Sequence, residues 1–97
     1  MKTVIETEEF TKQAEKLWSE EERLDFIDYI AENPTAGDVI RGTDGVRKVR
    51  WTISGRGKRG GVRIIYLNVS KSAILLLAMF KKSDRATMKA HEIRGAK

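Results

Sequence analysis

Residues 54–61 hold the densest chemistry in this chain: Ser54-Gly55-Arg56-Gly57-Lys58-Arg59-Gly60-Gly61. Four glycines and three cations share eight positions. Glycine lets backbone approach a ligand closely and adopt positive φ. Arginine and lysine supply charge-assisted donors suited to phosphate. Strand-like runs flank the loop, residues 46–53 before it and 62–69 after it. Around it gather Lys48, Arg50, Arg56, Lys58, Arg59, Arg63, Lys81 and Lys82. Basic residues are common on solubilising surfaces, but cations concentrated at one glycine loop and two strand ends point to a polyanion site.

Such a cluster can do more than bind. RNA brings its own nucleophile, the 2′-hydroxyl. Cleavage then needs a base, an acid and cations that stabilise the phosphorane-like transition state. Crowded lysines lose protons more readily, because neighbouring positive charge disfavours the ammonium form. One of them could serve as general base, worth roughly 10²–10⁴-fold in rate. An arginine stays charged and suits phosphate stabilisation better.

Other motifs weigh less. Gly55-Arg56-Gly57-Lys58-Arg59-Gly60 has the letters of a dinucleotide fingerprint, but that fingerprint opens a helix and here a strand follows. The chain has no cysteine and a single histidine, His91, so no metal site is expected. His91 reads either as a surface or partly packed residue or as a proton carrier beside the cationic strands. Trp18 lies on an apolar helical face, and Trp51 alternates with Val49 and Ile53. Both therefore read as core. Phe80, next to Lys81, is the better candidate for stacking on a base.

The elements that must position these groups follow from periodicity. At 97 residues, with 40% hydrophobic content, the chain supports one domain and one modest core. Residues 3–5 could form a short edge strand. Thr7 caps an expected helix over residues 8–18, with Phe10, Ala14, Leu17 and Trp18 on one face. Ser19-Glu20-Glu21-Glu22 reads as a capping box opening a second helix, to about residue 32, with Leu24, Ile27, Ile30 and Ala31 inward. Asn33-Pro34 ends it, and residues 34–44 read as a loop. Val49, Trp51 and Ile53 alternate with Lys48, Arg50 and Thr52, which predicts a strand with one buried and one cationic face. Residues 73–80 are apolar at every position and predict a central strand. A short helix over residues 85–94 is expected to close an α+β domain with a meander sheet.

Charge divides along the same line. Residues 1–40 carry eleven acidic and four basic side chains, net −7. Residues 41–97 carry three acidic and fifteen basic, net +12. This asymmetry points to nucleic acid or an acidic protein as partner of the second half. No stretch has the pattern of a signal peptide or membrane helix. The absence of cysteine is compatible with a reducing cytoplasm, which is the expected location.

At these residues the chain resembles the RelE/ParE superfamily of bacterial type II toxins, and within it the RelE-like HigB subgroup. The resemblance rests on Asn33-Pro34 with Gly37-Asp38-Val39-Ile40, on Gly42-Thr43-Asp44-Gly45-Val46-Arg47-Lys48, on residues 55–66 ending Gly61-Val62-Arg63-Ile64-Ile65-Tyr66, and on Phe80-Lys81-Lys82. It implies a RelE-like fold, with two N-terminal helices packed on a small antiparallel sheet and a short C-terminal helix. It also implies metal-independent cleavage of messenger RNA in the ribosomal A site. By motif position the catalytic residues would be Lys58 or Arg59, Arg63, and Lys81 or Lys82. Lys48, Arg50, Arg56 and Phe80 would contact RNA. The implied partner is an antitoxin, in the HigB case a helix-turn-helix, HigA-like one, through which the pair would reach operator DNA. No cofactor is implied. The chain departs from relatives that place a tyrosine near the C-terminus: it has Met88 there, and no tyrosine after Tyr66. Either a lysine or His91 would then take the role of base, or the activity would be weak. Two alternatives remain, a ParE-like inhibitor of DNA gyrase and a non-catalytic basic nucleic-acid-binding domain.

Overall fold

The computed structural model describes residues 2–51 and 61–81. Along them run β1 (Thr3–Glu6), α1 (Glu8–Leu17), α2 (Glu20–Glu32), β2 (Asp38–Val39), β3 (Arg47–Trp51), β4 (Val62–Asn68) and β5 (Ala73–Lys81). The strands form one sheet in the order β1-β5-β4-β3-β2. The two helices pack on one face of it, an α+β arrangement. The expected short helix over residues 85–94 lies outside the described residues.

Both helix starts follow from local chemistry. The Thr7 hydroxyl accepts a hydrogen bond from the Phe10 amide at 3.0 Å. Ser19 and Glu22 close the expected capping box, with bonds of 2.9 Å and 3.2 Å. In α2 the inward set differs from expectation: Phe26, Ile30 and Ala31 are buried, whereas Leu24 stands exposed. The stripe is centred on the Phe26–Ile30 spacing, because the large Phe26 ring fills the space over Trp18 and Trp51.

The meander expected of β3, β4 and β5 is present as antiparallel pairs. Two features extend it into a mixed sheet. β1 pairs in parallel with β5, so β5 is flanked on both sides, as its unbroken apolar sequence requires. Beyond β1, the start of α1 covers the β5 edge. There the Thr7 amide and hydroxyl donate to the carbonyls of Leu76 and Leu77, and the Gln13 side chain accepts from the Met79 amide. These contacts satisfy edge groups that could otherwise recruit another strand.

The second addition, β2, falls in the stretch expected to be loop. Gly37 makes it possible. Its φ is +78°, and a Cβ there would lie 2.0 Å from the Lys48 carbonyl oxygen, so only glycine lets the chain lie against β3. Side chains from the sheet hold the same segment. Tyr66 Oη donates to the Ala36 carbonyl at 2.6 Å, Asn68 Nδ2 to Pro34 at 2.8 Å and an Arg47 guanidinium nitrogen to Thr35 at 2.8 Å.

Two apolar clusters result. Between helices and sheet lie Phe10, Ala14, Trp18, Phe26 and Ile30 with Val49, Val62, Ile64, Tyr66, Ile74, Leu76 and Met79. Each fully buried large side chain stabilises by roughly 1.5–3 kcal/mol relative to exposure. The opposite face carries Val46, Ile65, Leu77, Ala78 and Phe80. A register shift at Ile65/Tyr66 inserts one extra β5 residue, which lets Leu77 join Ala78 on that second face.

Candidate nucleic-acid interface

The side chains of β3 alternate as expected. Val49 and Trp51 turn to the helices, and Lys48 and Arg50 turn away. The register then decides what Arg50 meets. Arg50 lies directly opposite Arg63 of β4, and Arg63 lies directly opposite Phe80 of β5. One row across three strands therefore reads Arg50, Arg63, Phe80. Adjacent strands sit about 4.8 Å apart, so the row spans roughly 10 Å. Lys48 shares this face two residues along β3, opposite Ile65.

Like charges directly opposed across strands destabilise a sheet. Here the cost is compounded, because Arg63 is only 6% exposed while Arg50 is open to solvent. Burial, and then the charge of Arg50, push the Arg63 guanidinium below its ordinary range. Arginine is basic enough to remain a cation nonetheless. A sheltered guanidinium opposite a solvent-exposed one concentrates positive charge that suits an anion. Phosphate would supply a negative charge that the opposite strand position does not, and a guanidinium can grip it with two parallel bonds.

Of the residues singled out from sequence, the structure brings Arg50, Arg63, Phe80 and Lys48 to one face. Lys81 is not with them. It is exposed, and its register partner is Val62, whose side chain belongs to the helix-side core. Strand alternation thus separates Lys81 from Arg63. Phe80 is 7% exposed and packs with the second apolar cluster, so its ring wall borders the cation row rather than standing open as a platform. Arg56, Lys58, Arg59, Lys82 and His91 lie outside the described residues. Trp18 and Trp51 are on the helix side, as expected.

Sequence reading missed Tyr29. Its ring meets Trp51 with centroids 5.0 Å apart, and Phe26 meets the same indole edge-on at 5.1 Å. The i, i+3 spacing of Phe26 and Tyr29 was the available signal. Arg47 was also passed over. It holds the loop before β2, and its role is structural.

The residues that build this face fall within a wider likeness. A family model described as the RelE toxin of the RelE/RelB toxin–antitoxin system matches residues 2–97. The match includes the helical pair, every strand and the glycine–cation loop. With nearly its whole length matched, the chain belongs to the RelE toxin family.

Proposed function

We propose that this toxin is a ribosome-dependent, metal-independent endoribonuclease that cleaves translated messenger RNA and so stops protein synthesis. The single observation that carries the reading is the opposed pair Arg50–Arg63 on the face away from the helices. Two cations held together against their mutual repulsion suit a scissile phosphate, whose charge grows in the transition state. Membership of the family supports the same chemistry, since its toxins are generally endoribonucleases. Arg63 stabilises the phosphorane, and Arg50 and Lys48 hold the RNA backbone. Lys58 or Arg59, with Lys82 or His91, are the candidates for proton transfer, and Arg56 adds a phosphate contact. The partner is an antitoxin; a helix-turn-helix, HigA-like protein fits the HigB-type motifs and would carry the pair to operator DNA. Among the described residues no helix is long and apolar enough to cross a membrane, and the work of such a toxin lies in the cytoplasm.

The test is induced expression in bacteria with primer extension on an abundant messenger RNA, comparing wild type with Arg63→Ala. Growth arrest with new 5′ ends inside translated codons, lost in the variant, is the expected result. Arrest without cleavage would transfer the reading to gyrase. Full toxicity of Arg63→Ala would remove Arg63 from the site.

A further inference from the structure

Arg50 lies on β3 two residues beyond Lys48. β2 pairs with β3 only at Arg47 and Lys48. Among the described residues, no strand lies on the outer side of β3 at Arg50 and Trp51. Among the described residues, the ladder partner of Arg50 and Trp51 is β4. A second hold lies on the helix side. Trp51 is half-buried, and its indole is held between Tyr29 at 5.0 Å and Phe26 at 5.1 Å, both on α2. Consecutive strand residues point to opposite faces. Fixing the Trp51 ring below the sheet therefore fixes the direction in which Arg50 leaves it above.

We infer that Tyr29, acting through Trp51, is a positioning residue for the Arg50–Arg63 phosphate site. This inference rests on the endoribonuclease reading for its kinetic form, but its geometry does not. Phe26 is fully buried and serves the whole core. Tyr29 is 38% exposed, so its ring can be removed with little loss of core. The ring does the holding, since it is the ring that touches Trp51. Without that ring Trp51 is free to turn, and Arg50 drifts relative to Arg63. A displacement near 1 Å in a catalytic constellation can lower a rate by as much as about 10²-fold. Phosphate attraction is less sensitive to such drift, because charge acts over distance.

The experiment compares wild type, Tyr29→Ala and Tyr29→Phe on translating ribosomes, reading the maximal cleavage rate, the half-saturating concentration and the thermal midpoint. Tyr29→Ala is expected to cut the maximal rate about tenfold while half-saturation stays within about twofold, and Tyr29→Phe restores the rate. A Tyr29→Ala protein that cleaves like wild type overturns the inference, as does a rate loss that Tyr29→Phe shares. If Tyr29→Ala does not fold, Trp51→Leu replaces it, and the same split is expected. Should wild type cleave nothing, the endoribonuclease reading fails by itself. The positioning is then decided by the Nε–H resonances of Arg50 and Arg63. Shifts in Tyr29→Ala that are absent in Tyr29→Phe uphold it, and unchanged resonances overturn it.

Discussion

Replacing Arg50 by threonine is expected to make the protein more stable and worse at holding RNA. Arg50 and Arg63 are direct cross-strand partners, and a like-charge pair in that relation costs about 0.2–1 kcal/mol. Solvent reaches Arg50, which keeps the repulsion near this modest range rather than the several kcal/mol of a dry site. Threonine fits a strand and keeps a β-branched surface. The gain of about 0.5 kcal/mol corresponds to roughly 2–4 °C in melting temperature for a domain of this size. It must also shrink with salt, because the Debye length falls from about 30 Å at 0.01 M to about 3 Å at 1 M. Over the same range RNA affinity falls with a salt slope that the variant lowers by about 0.7 for each phosphate it no longer neutralises. No pH signature should accompany the gain. The depressed Arg63 destabilises below its folded pKa and is relieved only above the ordinary arginine range, which lies beyond any useful buffer. Thermal melts at two ionic strengths and a salt titration of RNA binding suffice. A variant less stable than wild type at low salt, or a gain indifferent to salt, would refute the repulsion and with it the case for a pre-charged phosphate site.

Three further perturbations probe the frame and the site. Gly37→Ala places a Cβ 2.0 Å from the Lys48 carbonyl at a φ of +78° and should destabilise by about 3 kcal/mol or more in denaturant titration; Gly45→Ala, with a φ of +96° but open space around it, should cost only about 1–2 kcal/mol. Tyr66→Phe leaves the Ala36 carbonyl without its donor and should cost about 1–2 kcal/mol near neutrality. Burial raises the Tyr66 pKa above its ordinary value of 10.0, so wild-type stability is fully present below that value and is lost as pH climbs through the higher folded pKa; the phenylalanine variant should lack that alkaline fall. Lys81→Met should leave cleavage within about threefold of wild type, since register sets Lys81 on the face away from Arg63 and an exposed cation there adds only weak, screened attraction; a hundredfold loss in a single-turnover assay would place Lys81 in the site after all.

Much of this was legible in the sequence because it is locally encoded. Thr7 and Ser19 start helices by bonding amides three residues away, and the alternation along Lys48, Val49, Arg50 and Trp51 sorts faces with no knowledge of neighbours. What was not legible depends on partners distant in the chain. Nothing local to Asp38 and Val39 marks them as a strand; they pair because Gly37 fits beneath Lys48 and because Tyr66, thirty residues on, takes up the Ala36 carbonyl. β1 joins β5 in parallel across seventy positions. Lys81 looked equivalent to Arg63 as a basic residue at a strand end, and only the register puts them on opposite faces. Likewise, Arg50 and Arg63 were both named, but their direct opposition was hidden by the intervening loop.

That opposition explains a division of labour between the two faces of the sheet. The helix side is closed by Phe10, Phe26, Ile64, Met79 and their neighbours, and the far side of β4 and β5 carries a second apolar cluster. β4 and β5 are thus packed on both faces over most of their length, far more burial than a strand with one wet face obtains. This surplus lets β4 carry a buried arginine near its start, opposite another arginine, without loss of register. A fold selected for stability alone would place an acidic residue at one of the two positions, and eleven were available among the first forty residues. They sit instead in the helical half of the chain, and the cross-strand partner of Arg63 on β3 is a second arginine. Under the proposed function, a like-charge pair whose repulsion a phosphate relieves would favour the charged transition state over the ground state.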